Sequence, residues 1–173
     1  MGISKKRCKN SKNSKYVDHP RYGNLPIPSR YQYSIEEIKR ANCHYAHLKC
    51  FPETAIPANI EKQKYGYDPR ILYVDVVEHC KVCGRPFIFF AKEQQYWFEE
   101  LGFWVDAHCT KCCDCRAKDH AIKTMLHKYE KLVKKLDKSE TETRQLKQIA
   151  LELYQQGYIQ NVSKVNRIKL KNN

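Results

Sequence analysis

The sequence predicts an α+β fold, and three observations predict it. Two short runs rich in β-branched and aromatic residues, 71–77 and 87–90, read as strands. Cysteines cluster around them: Cys80 and Cys83 lie between the runs, and Cys109, Cys112, Cys113 and Cys115 follow. Apolar residues recur at helical spacing both before and after that centre, each time behind a capping signature.

Taken in order, residues 1–15 alternate Lys, Asn and Ser and read as disordered. Residues 19–33 hold three prolines and Gly23, so they are expected to be extended and to order only against another surface. Ser34 and Glu37 form a capping box, which predicts a helix over 35–49 with Ile38, Ala41, Tyr45 and Leu48 on its buried face. Pro52, Pro57 and Pro69 then predict an irregular connection. After the two strands, residues 93–101 are helix formers closed by Gly102. A long helix is expected over 117–136, carrying Ile122, Met125, Tyr129, Leu132 and Leu136 at three–four spacing. Ser139 and Glu142 form a second capping box, opening a helix to about residue 156 with Leu146, Ile149, Ala150 and Leu153 as its stripe and Gly157 as its C-cap. The two stripes predict a C-terminal helical hairpin. The segments are thus 1–33, a disordered or extended basic arm; 34–70, helix plus connection; 71–118, the cysteine-bearing domain; and 119–173, hairpin with basic tail.

Composition narrows the function. Of 173 residues 42% are hydrophobic and 29% charged, and no apolar run is long enough for a membrane span. The basic N-terminus lacks the apolar core of a secretory signal, so a cytoplasmic location and no membrane partner are expected. Nine cysteines in a reducing compartment point to metal binding rather than to disulfides. The net charge of +13 is uneven. Residues 1–30 carry eight Lys or Arg against one acid (+7), residues 31–115 ten against twelve (−2), and residues 116–173 fourteen against six (+8). Two basic ends round a near-neutral centre suit DNA or RNA, or an acidic protein, and also serve plain solubility.

The chemistry lies in the cysteines. In Cys80-Lys81-Val82-Cys83-Gly84 two thiolates can reach one ion from a tight turn, and the glycine can take positive φ. Cys112-Cys113-Asp114-Cys115 supplies a second pair. Four thiolates suit tetrahedral Zn2+, and such a closed set leaves no position for catalysis. A redox Cys-x-x-Cys would need a βαβ surround that is missing here. The register of the second pair has two readings. Cys112 and Cys115 stand at the start of the long helix, where free amides favour thiolate. Cys109 with Cys112 is the alternative, with Cys109 replacing Cys115.

Residues 73–118 resemble the probable zinc-ribbon domains of small, mostly bacterial proteins of unestablished role. The likeness rests on Cys80-x-x-Cys83-Gly84, Phe87-Ile88-Phe89-Phe90, Glu93-Gln94 with the aromatics that follow, Gly102-Phe103, and Cys112-x-x-Cys115-Arg116. It implies zinc ligands at Cys80, Cys83, Cys112 and Cys115. The stretch 93–103 is slightly longer than that pattern, and Cys109 and Cys113 are additional. A helix directly after the second pair suits a treble clef as well as a ribbon.

Other constellations carry less. Cys43, His47 and Cys50 would share one face of the first helix but offer only three ligands, so a polar surface is the expectation. Most aromatics between Phe87 and Trp104 are expected to fill a small core rather than to stack on bases. Glu99, Glu100 and Asp106 do not converge as an acid–base pair, and His120 and His127 have no nucleophile at useful spacing. No enzyme is therefore expected. Lys81, Arg85 and Arg116 flank the cysteines as candidate phosphate contacts. Two functions remain: a zinc-finger-type module that binds nucleic acid through its basic ends, or an interaction module whose hairpin docks a protein partner or self-associates.

Overall fold

A computed structural model describes residues 15–169 and divides the chain into two compact units, residues 1–115 and 116–173. Residues 1–14, nearly all of the stretch read as disordered, lie outside the described residues, as do residues 170–173.

The first unit is built on a three-stranded antiparallel sheet in the order β1-β2-β3. Ser34 caps α1 (Ile35–Ala41) as expected: its hydroxyl accepts from the Glu37 amide, and the Glu37 carboxylate accepts from the Ser34 amide. The helix does not reach residue 49. Asn42 turns extended (φ −160°, ψ 133°), a 3-10 turn Cys43–Ala46 follows, and the chain enters β1 (Lys49–Pro57). Backbone pairing with β2 (Leu72–His79) overrides the helical periodicity there. The same pairing corrects the irregular reading of the first part of 52–70. The prolines are tolerated because β1 is an edge strand and its register breaks between Phe51 and Ile56.

Central β2 alternates Leu72, Val74 and Val76 toward one core cluster, where they meet Ile38, Tyr45, Phe87 and Phe89. Tyr73 faces the other way, onto Ala91, Phe98 and Val105. Burial on both faces explains why apolar residues fill this run from Leu72 to Val77 at every position but Asp75. Val76 pairs with Phe89 and His79 with Pro86, so β3 (Pro86–Phe89) returns along β2 and leaves residues 80–85 as the connecting turn. The proline-rich stretch orders on this sheet, as expected of it: the Ser29 amide donates to Glu53 O (2.8 Å) and the Ile27 amide to the Asp75 carboxylate (3.0 Å). The predicted helix at 93–101 begins earlier, as α2 (Ala91–Gln95), and widens into a π-helical turn at Tyr96–Glu100. Gly102, at φ +63°, ends it.

Asp75 is 2% exposed, and its carboxylate accepts from the amides of Ile27 (3.0 Å) and Ala91 (2.6 Å). Burial outweighs those amides and pushes its pKa from the ordinary 3.8 up to about 6. Between these values the folded chain holds a proton that the unfolded chain releases. This group's contribution to stability is therefore full below the lower value and lost as pH rises through the upper one. A carboxyl-carbon NMR titration is expected to place its midpoint near pH 6. A midpoint in the ordinary aspartate range would show that the two amides dominate.

The second unit consists of α3 (Cys113–Lys134) from Arg116 onward, α4 (Glu140–Gln155) and α5 (Val162–Asn166). Helix α3 begins four residues before the predicted start, because the cysteine cluster itself opens it. The Ser139–Glu142 capping box forms, and Gly157 sits at φ +80° past the end of α4. Leu146, Ile149, Ala150 and Leu153 are buried with Leu132, Ile159 and Val165. Leu136 does not join them: it follows the last residue of α3 and is 96% exposed. Short α5 lies beyond the predicted hairpin. It carries too few residues for a periodic signal, and Val165 is its buried anchor. No helix among the described residues is long and apolar enough to cross a membrane.

Candidate metal centre

The β2–β3 turn forms the first half of the site. The Cys80 amide donates to Arg85 O (3.1 Å) and the Gly84 amide to Cys80 O (2.8 Å), which folds residues 80–85 into a tight loop. Gly84 sits at φ +71°, where a side chain would be strained. This turn aims the amides of Val82 and Cys83 at the Cys80 sulfur. The second half stands at the mouth of α3. Cys112 immediately precedes the helix, and the Cys115 amide points at its sulfur, in the manner of an N-cap. One backbone bond ties the halves together, from the Lys81 amide to Thr110 O (2.9 Å).

The sulfurs of Cys80, Cys83, Cys112 and Cys115 all lie within 4.8 Å of one another, and the Cys83 and Cys112 sulfurs are 3.8 Å apart. A tetrahedral ion with metal–sulfur bonds of about 2.3 Å separates its ligands by about 3.8 Å, so the donor set fits such an ion. Cys80, Cys112 and Cys115 are buried and Cys83 is exposed. The other two cysteines point elsewhere. The Cys109 thiol donates to Lys111 O (3.5 Å) and the Cys113 thiol to Asp18 O (3.1 Å).

The electrostatics divide the four. Burial raises the Cys80 thiol, but the amides of Cys112, Cys83 and Val82 outweigh it and bring it down to about 6. Arg85 lowers Cys83 by donating from Nε at 3.4 Å. Burial pushes Cys112 up, and it pushes Cys115 up to about 12 with help from the neighbouring sulfurs. Arg85 also pairs with Asp114 across the site (2.8 Å), which holds its guanidinium against the cluster.

The remaining candidates have other positions. Cys50 leaves the helix for β1, where its thiol donates to Tyr45 O and Leu48 O, so the Cys43–His47–Cys50 face does not form. The side chain of Cys43 lies outside the described residues. Glu99 accepts from the Asn59 amide (2.7 Å), and Glu100 pairs with Lys62 (2.9 Å). Phe87, Phe89, Phe90 and Phe98 are buried as read, whereas Tyr96, Phe103 and Trp104 are exposed.

Residues 74–124 match the family model described as a probable treble clef domain. No curated protein and no solved structure matches the chain. The matched span holds all four clustered cysteines and closes on the helix that follows the second pair, the order of a treble clef: turn, strand, then ligands at a helix start. Over this span the chain carries a treble-clef metal-binding module, the segment in which the sequence showed its family resemblance.

Proposed function

We propose that Cys80, Cys83, Cys112 and Cys115 hold one Zn2+ that stabilises the first unit, and that the basic ends bind nucleic acid weakly and without sequence preference. A borderline-soft d10 ion suits four thiolates, and a four-thiolate set leaves no open position for substrate or water. In this reading the protein is not an enzyme.

One observation supports the nucleic-acid role above the others. His120, Lys123, His127, Lys131 and Lys134 are all exposed on one face of α3, opposite Met125, Tyr129 and Leu132 of the buried side. They form a row about 20 Å long with a cation or a titratable ring at each turn. The basic ends would add phosphate contacts that position the chain and read no bases.

Binding of the full chain to duplex DNA is expected to weaken with salt. If four to six phosphates are engaged, log affinity falls against log salt with a slope of about −4 to −5. Removing residues 1–15 should flatten that slope. No binding at low salt, or binding indifferent to salt, would overturn the nucleic-acid reading. The second reading, an interaction module, draws on Leu151, Tyr154 and Tyr158, which stand exposed on and just beyond α4. A discrete dimer in sedimentation, together with no salt-dependent binding, would favour it.

A further inference from the structure

The second unit contains a cleft of about 590 Å³ that the basic ends alone do not explain. Its floor is apolar: Tyr129 and Val133 from α3, Leu146 from α4, and Ile168. Its rim is cationic: Lys138, Lys164, Arg167 and Lys169. No carboxylate lines it. Among the described residues no ion pair engages Lys164, Arg167 or Lys169. Lys138 is held in place, since its ammonium donates to Val133 O (3.4 Å) and to Lys135 O at the end of α3. The volume falls in the range of about 300–1,000 Å³ usual for small-ligand sites.

We infer that this cleft receives one unstacked nucleotide of a single-stranded nucleic acid. The inference rests on the nucleic-acid reading above and goes further by naming the form of the partner. A ligand for this cleft must join a flat apolar body to concentrated negative charge. A nucleotide does so: its base lies against Tyr129 and the aliphatic floor while its phosphates meet the rim. An acidic peptide spreads its carboxylates along the chain and puts little apolar surface beside each. A base paired within a duplex cannot enter a concave site, so single strands are preferred over duplex.

The test compares the full zinc-loaded chain on a labelled oligothymidine strand and on a hairpin duplex with the same number of phosphates. The strand is expected to bind about tenfold more tightly, the worth of one stacked base. Val133→Glu alters a half-exposed residue of the floor and places a carboxylate there. It should abolish the strand preference while duplex affinity changes by no more than about twofold. The paired surface substitution Lys164→Gln with Arg167→Gln should reduce the preference in the same direction, with the circular dichroism spectrum unchanged. Equal affinity for strand and duplex, with Val133→Glu silent, overturns the cleft and leaves the basic-end reading standing. No binding of either overturns both. Polyglutamate displacing the strand as well as an oligonucleotide of equal charge would show that the cleft reads charge alone, and would overturn the nucleotide.

Discussion

Replacing Cys83 by Ser is expected to empty the metal centre and unfold the first unit. The Cys83 sulfur stands 3.8 Å from that of Cys112, across the gap between the two halves. A serine hydroxyl stays protonated near neutral pH and is a poor zinc ligand, so three thiolates and the Arg85 guanidinium would be left facing a vacant corner. The free energy of binding a structural zinc is of order 10–16 kcal/mol, and it is folding free energy. That is comparable to or larger than the roughly 5–15 kcal/mol by which a domain is usually stable. Elemental analysis should give one zinc per wild-type chain, bound by sulfur, and none for Cys83→Ser, and the variant's melting transition should broaden and fall. Cys113→Ser is the matched control. Its thiol turns to Asp18 O (3.1 Å) and stands outside the cluster of four sulfurs, so that variant should keep its zinc. A Cys83→Ser protein with one zinc and a wild-type melt would sink the assignment. So would a Cys113→Ser protein that loses it.

That centre was legible in the sequence because its geometry is local. Two cysteines, two intervening residues and a glycine close a turn without help from elsewhere, whereas the spacing of the second pair allows both Cys112 with Cys115 and Cys109 with Cys112, which the clustered sulfurs separate. The capping boxes at Ser34 and Ser139 were legible for the same reason, as four-residue motifs that satisfy their own amides. Strand β1 was not legible. Its partners in β2 lie fifteen or more residues later, and its prolines argue against a strand unless it is known to lie at an edge. The polar core was hidden too. Gln94 sits among helix formers and looks like a surface residue, and Arg70 sits in a proline-bearing connection. Both are buried because Tyr45, far earlier in the chain, packs on them.

Gln94→Leu is expected to be the most damaging substitution in the first unit outside the cysteines. Gln94 is fully buried and spends its whole amide on neighbours. Its Nε2 donates to Val74 O (2.7 Å) and Phe89 O (3.0 Å), bridging β2 and β3. Its Oε1 accepts from the Tyr45 hydroxyl (3.0 Å) and, at longer range, from Arg70 Nη1 (3.5 Å). Leucine matches the side chain in size, so the packing of α2 survives, but the two carbonyls and the Arg70 nitrogen lose their partner inside the core. Tyr45 can turn its hydroxyl to Leu72 O, already at 3.2 Å, which limits the damage to the other three. Arg70 cannot recover in that way. It is 4% exposed, with its guanidinium 4.8 Å from the Phe98 ring centroid and 5.7 Å from that of Tyr45. A buried polar group left unsatisfied costs about 1–3 kcal/mol, so the variant should lose about 3–5 kcal/mol in all. For a unit of this size that lowers Tm by at least about 10 °C. Gln95→Leu, one position on, removes only a contact to Glu99 (3.1 Å) on a half-exposed side chain, and should cost less than about 1 kcal/mol. Thermal melts of the two zinc-loaded variants separate the alternatives. If both melt alike, the hydrogen-bond hub contributes nothing beyond its volume, and the sheet and α2 are held by their apolar faces alone.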